Sequence, residues 1–93
     1  MNEYNEKQGQ KNKDLTLVIK TTQGSWETVF SKTAKIQSVI DAIIAHFGFA
    51  QGGNYELMKE LTPEESLKPE RTLVSYHITD GEILIFTDLG VAV

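Results

Sequence analysis

The chain has 93 residues, a formal net charge of −4 and no cysteine. This length allows one domain, and the absence of cysteine excludes disulfides, thiolate metal sites and a cysteine nucleophile while fitting a reducing compartment. The acidic balance argues against nucleic acid or an anionic membrane surface as a main partner. No apolar run approaches the roughly 18 residues of a membrane span, and the amino terminus lacks the apolar region of a signal peptide. We therefore expect a soluble, cytoplasmic monomer.

The first part of the chain, residues 1–13, is polar and of low complexity. Such a segment cannot bury enough apolar surface to offset the entropy of ordering, so it is predicted to be a disordered tail. The alternative is a flexible arm that presents acceptor lysines, namely Lys7, Lys11 and Lys13.

A β-hairpin is predicted next. Leu15, Leu17 and Ile19 alternate with other residues and indicate a strand that begins near Asp14. A turn at residues 21–24 leads into a return strand at residues 25–31. The facing of the return strand stays open. In a regular strand, Trp26, Thr28 and Phe30 share one side and Val29 lies on the other. A bulge near the turn would instead place both Val29 and Phe30 partly inside.

One helix is predicted from a broad apolar stripe that follows a period of 3.6 residues. The stripe consists of Ile36, Val39, Ile40, Ile43, Ile44 and Phe47. Thr33 is the predicted N-cap residue, and Gly48 is the predicted residue just beyond the last turn. The stripe is expected to cover the hydrophobic face of the sheet.

Two further strands are predicted. In the first, residues 55–59, Tyr55 and Leu57 face inward, and the acidic residues 60–66 after it form a loop. The last strand, residues 82–87, is predicted to run parallel to the first strand in the middle of the sheet, since both are the most apolar. The predicted common core is Leu17, Ile19, Ile36, Val39, Ile43, Leu57, Leu73, Ile83 and Ile85.

A broken segment, residues 67–78, joins these two strands. Pro69 excludes a long helix, so the segment is predicted to be a packed connector with one turn of tight helix near residues 73–76. The ring of Tyr76 is expected to be buried while its hydroxyl bonds to nearby backbone. The spacing Leu-x-x-x-Arg-Thr-Leu-x-x-Tyr-x-Ile resembles the segment of ubiquitin before its final strand, and residues 19–24 resemble its first hairpin.

This resemblance to the ubiquitin-like (β-grasp) family, and to bacterial ubiquitin-like proteins within it, implies a fold and a domain division. The implied fold is α+β: a ubiquitin-like β-grasp with a mixed four-stranded sheet (ββαββ) packed on one helix. The domain is expected over residues 14–88, between the disordered tail at residues 1–13 and a flexible C-terminal tail at residues 89–93.

Catalytic groups are not evident in the sequence. His46 and His77 have no metal-ligand spacing; His46 is interpreted as a solvent-facing or capping histidine and His77 as a local hydrogen-bonding residue. No acid–base pair or nucleophilic triad is visible. We therefore expect no enzymatic activity, no catalytic residue, no metal and no cofactor.

A protein-binding patch is predicted on the side of the sheet away from the helix. It consists of Thr22, Met58, Leu84 and Phe86, with Val18 and Trp26 as extensions. These positions correspond to the hydrophobic patch of ubiquitin that receptors bind, and three apolar side chains clustered on an open face are unusual.

The C terminus carries a single glycine, Gly90, followed by Val91-Ala92-Val93. The resemblance implies a ubiquitin-like modifier in which removal of these three residues exposes Gly90 for conjugation. The alternatives are a non-conjugated adaptor and, third, a sulfur carrier. The implied partners are proteins: activating or conjugating enzymes, a metallopeptidase, or receptors of ubiquitin-like domains. Conjugation requires the chain after Thr87 to be free of the sheet; otherwise Leu89, Val91 and Val93 continue the strand.

Overall fold

A computed structural model describes residues 14–90 of the chain. The elements follow in the order β1 (Asp14–Thr21), β2 (Gly24–Ser31), α1 (Ile36–Phe47), β3 (Asn54–Lys59), β4 (Thr62–Ser66), a 3₁₀ helix (Val74–Tyr76) and β5 (Ile83–Gly90). The predicted N-terminal tail, residues 1–13, and residues 91–93 of the predicted C-terminal tail at residues 89–93 lie outside the described range. Within residues 14–90, no helix is long and apolar enough to cross a membrane.

The five strands form one mixed sheet in the order β2-β1-β5-β3-β4. β5 lies in the middle, parallel to β1 and antiparallel to β3, which confirms the predicted central pair. The sheet has five strands rather than four, because the residues predicted as an acidic loop form β4 along β3. Pro63 is tolerated there since β4 is an edge strand, where a missing N–H donor need not break the ladder.

The hairpin of β1 and β2 is regular. Eight pairs run from Asp14↔Ser31 to Thr21↔Gly24 without a shift in register, so the bulge considered above is absent from this pair of strands. Trp26 and Phe30 consequently share the helix-facing side with the buried residues of β1, and both pack against the core. Val29 faces the opposite side and is 55% exposed.

The helix begins and ends where its apolar stripe predicts. Gly48 terminates it in the left-handed conformation, with φ of 76°, which glycine adopts without a Cβ clash. The predicted N-cap is wrong: Lys35 occupies that position and makes no side-chain cap bond. The first N–H groups of α1 are instead satisfied by tertiary contacts, since Ile36 N–H donates to the Arg71 carbonyl at 2.8 Å and Gln37 N–H to the Pro69 carbonyl at 3.0 Å.

The connector before β5 is packed as predicted. Tyr76 lies at the end of the 3₁₀ helix with its ring buried, and its hydroxyl accepts the Lys68 backbone N–H at 2.8 Å. The Arg71 guanidinium lies 4.2 Å from the centre of the same ring. The connector thus closes the open end of the core and supplies the carbonyl groups that cap α1.

The core lies between α1 and one face of the sheet, here called the inner face. Seven of the nine predicted core residues are fully buried there; they are Leu17, Ile19, Ile36, Val39, Ile43, Leu57 and Leu73. The other two, Ile83 and Ile85, are only partly buried and lie on the opposite side of β5. Their places in the core are taken by Leu84 and Phe86.

Candidate functional site

The outer face of the sheet, opposite α1, carries an aliphatic stripe across its three central strands. The register pairs Val18 of β1 with Ile83, and Met58 of β3 with Ile85, so these four side chains share one side of the sheet. None of them belongs to the core cluster beneath α1. We call Val18, Met58, Ile83 and Ile85 the outer stripe.

An ion pair crosses the outer stripe. The ammonium group of Lys20 on β1 lies 3.0 Å from the carboxylate of Glu60, just after β3, so the side chains bridge over the intervening strand β5. Both partners are substantially exposed, at 48% and 38%, so solvent screening leaves the pair little net stabilising effect. Among the outer-stripe residues near this pair, Val18, Ile83 and Ile85 are partly exposed and Met58 is buried.

Carboxylates surround the stripe. Glu27 is the β2 partner of Val18, and Glu56 is the β3 partner of Thr87, which places both on the outer face. At one end of the sheet a surface cavity of about 330 Å³ is lined by Asp14, Thr16, Val29 and Asp80. Asp80 is held there because its carboxylate accepts the Thr16 N–H at 2.6 Å. We call Asp14, Glu27, Glu56 and Asp80 the acidic rim.

A shallow groove extends the outer stripe toward the hairpin turn. It has a volume of about 360 Å³, and its lining is mostly apolar. The side chains around it come from the turn and from the central strand; they include Lys20, Thr22, Ile85 and Thr87. The groove exists because β1 turns away at Thr21 whereas β5 continues to Gly90.

Comparisons with known proteins bear on the fold. No family model matches the chain, and no curated protein matches it. Among solved structures, a designed protein based on ubiquitin superposes with a TM-score of 0.71 at 20% identity, covering 86% of this chain and 94% of that one. The ubiquitin-like domain of an Arabidopsis thaliana protein superposes with a TM-score of 0.72 at 15% identity, covering 85% of this chain and 81% of that one.

The chain has the ubiquitin-like fold. A further neighbour with this fold, ATBAG1 crystallised in complex with HSP70, superposes with a TM-score of 0.68 at 14% identity. That superposition covers 80% of this chain and 40% of the ATBAG1 chain. At such identities the likeness shows the ubiquitin-like fold alone.

Two of the four residues predicted for the binding patch lie on the outer face. Thr22 is exposed at the hairpin tip beside the groove, and Met58 belongs to the outer stripe, although its neighbours leave it only 8% exposed. The other two predictions are wrong: Leu84 and Phe86 face α1 and are 0% and 2% exposed. Pairing of Leu84 with Ile19, and of Phe86 with Leu57, turns their side chains into the core.

The predicted extensions of the patch separate in the same way. Val18 lies on the outer face, whereas Trp26 lies on the inner face, where its indole stacks on the His46 ring with centroids 3.9 Å apart. His46 is an exposed residue in the last turn of α1, and this stacking contact was not evident from the sequence. Among the described residues, no group of three or more potential ligands could hold a metal ion.

Gly90 belongs to β5 and not to a free tail. Leu89 and Gly90 continue the strand beyond the predicted boundary at Asp88, and Gly90 is paired with Asn54 of β3. The backbone of Gly90 has φ of 81°, and its N–H donates to the Asp88 carboxylate at 2.8 Å. The glycine is exposed, and among residues 14–88 no atom lies within 4 Å of the position that a Cβ would take.

Sequence analysis missed Ile83, Ile85 and the Lys20–Glu60 pair as parts of the outer face. Four consecutive apolar residues, 83–86, give no alternation from which to choose a side of the strand. Nearby polar residues do not identify the outer side of the strand either. Glu82 and Asp88 have the same phase as the buried Leu84, so their polarity suggests the wrong side. The one usable signal was Met58, which has the outward phase in β3.

Proposed function

We propose that this domain is a ubiquitin-like protein-interaction module, acting without conjugation, that binds partner proteins through the outer stripe. The observation that carries the proposal is the aliphatic row across β1, β5 and β3 on the face that α1 leaves open. Three members of the row, Val18, Ile83 and Ile85, are partly exposed, and an apolar surface with a polar surround is typical of a protein-binding site. No catalytic arrangement enters the proposal, and we propose that the domain is not an enzyme.

The groove next to Ile85 supports the same proposal. A partner side chain that fills it would contact Ile85 together with Thr22 and Thr87, next to the exposed hairpin tip. Binding energy at interfaces is concentrated in side chains that fill recesses and lose their contact with water when the partner binds. Ile85 is therefore the residue on which binding is expected to depend most.

Replacing Ile85 with aspartate tests this proposal. The substitution places a charge at the centre of the interface, and we expect partner affinity to fall about 30-fold or more, the effect of losing a hot spot of about 2 kcal/mol. Partners are first captured from cells of the source organism on the immobilised parent domain. Their dissociation constants are then measured with purified proteins.

The matched control is Val74→Asp. Val74 is 45% exposed, lies in the 3₁₀ helix of the connector and has no part in the outer stripe. Partners that use the outer face should bind this variant as they bind the parent. Equal binding of a purified partner to the parent and to Ile85→Asp would contradict the proposal.

A second candidate is a ubiquitin-like modifier joined to its targets through Gly90, as in bacterial ubiquitin-like proteins with activating enzymes and peptidases. The exposure of Gly90 and the open space around it favour this candidate. Its pairing with Asn54 opposes it, because an enzyme would have to detach the end of β5 before it could reach the glycine. We rank this candidate below the adaptor, and the sulfur carrier below both.

Gly90→Val tests the modifier. The positive φ makes valine strained at this position, at a cost of about 1–2 kcal/mol, so the substitution is expected to affect stability as well as conjugation. Gly52→Val is a matched control, since Gly52 has φ of 79° and similarly open surroundings. Conjugation predicts higher-mass adducts in the source cells for the parent and Gly52→Val but not for Gly90→Val. Intact mass spectrometry showing neither an adduct nor a form trimmed to Gly90 would exclude the modifier.

The cytoplasmic location and monomeric state expected from the sequence belong to the proposal as well. Size-exclusion chromatography with light scattering measures the oligomeric state of the full chain directly.

A further inference from the structure

We propose that the partner of the outer stripe is a protein segment that presents aliphatic side chains flanked by lysine and arginine. This inference rests on the proposed function, because it names the chemistry of the partner that docks on that face. It goes further in assigning a role to the acidic rim.

The charge on the outer face is strongly one-sided. The acidic rim and Glu60 contribute five carboxylates around the stripe, and Lys20 contributes one ammonium group. Residues 14–90 hold eleven carboxylates and six basic side chains, a net charge of −5, so these groups account for four of the five excess negative charges. The other charged residues of this range are nearly balanced, with six carboxylates against five basic side chains, so the excess negative charge lies mainly around the outer stripe.

The basic residues of the described chain lie mainly elsewhere. Lys35 and Arg71 lie at the start of α1 and the adjoining connector, and Lys59 is bound on the inner side by Glu82 at 3.3 Å. Within residues 14–90, the acidic rim makes no salt bridge. Its carboxylates consequently remain available to cations from a partner, and such complementarity accelerates association and excludes acidic competitors.

The dimensions of the stripe suit a short segment. Its three strands lie about 4.8 Å apart, so the stripe extends about 10 Å across the sheet. Two turns of an α-helix cover about 10 Å, which places apolar residues at i, i+4 and i+7 over the stripe. Basic residues beside them would then reach Glu27 on β2 and Glu56 on β3, at the two sides of the stripe.

The acidic rim also discriminates between classes of occupant. Phosphate-rich partners, whether nucleic acid or anionic lipid, would be repelled by carboxylates around an apolar centre. A second copy of this chain would have to bring its own basic end, near Lys35 and Arg71, to the outer face. That arrangement is an alternative occupant, and the measurement of self-association separates it from another protein.

The test uses a synthetic amphipathic peptide of about 15 residues with leucine at i, i+4 and i+7 and lysine on both flanks. A second peptide replaces every lysine with glutamate. Each is titrated into the full chain while amide shifts are followed by NMR. We expect the lysine peptide to bind about tenfold more tightly than the glutamate peptide and to perturb amides of β1, β3 and β5. Its affinity should fall with added salt.

Charge-matched double variants give the decisive comparison. The double variant Glu27→Gln with Glu56→Gln should lower the affinity for the lysine peptide about fivefold to tenfold, the effect of losing two exposed ion pairs. Asp41→Asn with Glu70→Gln removes the same charge from α1 and the connector, and this control should change affinity less than about twofold. Equal weakening by the two double variants would overturn the inference, because it would show attraction to net charge alone.

The remaining outcomes separate this inference from the proposed function. Equal or tighter binding of the glutamate peptide, abolished by Ile85→Asp, overturns the inference and leaves the proposed binding face standing. Failure of both peptides to bind overturns the inference. Sedimentation that shows a concentration-dependent dimer of the full chain, lost in Glu27→Gln with Glu56→Gln, also overturns it and assigns the face to a second copy.

Discussion

Replacing Phe86 with aspartate should unfold the domain. The Phe86 ring is 2% exposed and packs on Tyr55 and Phe49, with centroid distances of 5.0 Å and 5.2 Å. Truncation of such a ring costs about 3–5 kcal/mol, and burial of an unpaired carboxylate adds a further penalty. Domains of this size are stable by about 5–15 kcal/mol. Loss of the cooperative urea transition, followed by circular dichroism, is the expected result.

Two companion variants make the Phe86 prediction quantitative. Phe86→Ala should remain folded enough to measure and should lose about 3–5 kcal/mol of unfolding free energy. Ile85→Asp, on the other side of the same strand, should cost much less, on the order of 1 kcal/mol, which is the range of strand propensities. If Ile85→Asp proved as damaging to stability as Phe86→Asp, the assignment of the two faces of β5 would be wrong.

Replacing Ile43 with alanine should lower the free energy of unfolding by about 2–5 kcal/mol. Ile43 is 0% exposed and lies in the middle of the apolar stripe of α1, where the helix packs on the inner face. The lost methyl and methylene groups leave a cavity that the closely packed neighbours cannot fill completely. Urea denaturation measures the change as a shift in the midpoint at constant slope.

Ser38→Ala is the matched control for Ile43→Ala. Ser38 is exposed on the same helix, so its replacement by a better helix former should leave stability unchanged or raise it by a few tenths of a kcal/mol. A midpoint that did not move for Ile43→Ala would contradict the buried face of α1.

Much of the fold could be predicted because its strongest signals are local. The stripe of α1 repeats every 3.6 residues and ends at Gly48, and both features have the same meaning in any surrounding. Alternation in β1 similarly identifies its buried side. The connector was predictable because Pro69 breaks the helix and Tyr76 needs both a pocket and a hydrogen-bond partner.

The candidate site was predicted only in part because it depends on which side of β5 faces α1. Met58 alternates with Leu57 in β3, so its outward phase was readable. Residues 83–86 are all apolar, and a shift of one residue would have exchanged the two faces without changing the composition of either by much. The choice of Leu84 and Phe86 as exposed residues was therefore wrong, and Ile83 and Ile85 take their place on the outer face.

The amino-acid sequence by itself determined the elements with strong periodicity, the parallel central pair and the chain's acidity. Only the tertiary structure decided the facing of β5, through its pairing with Ile19 on one side and Leu57 on the other. It also decided the strand β4 and the capping of α1 by carbonyl groups from the connector, since both depend on backbone hydrogen bonds that any residue can make. The concentration of carboxylates around the outer stripe follows from the same register, because distant residues become neighbours only when the strands pair.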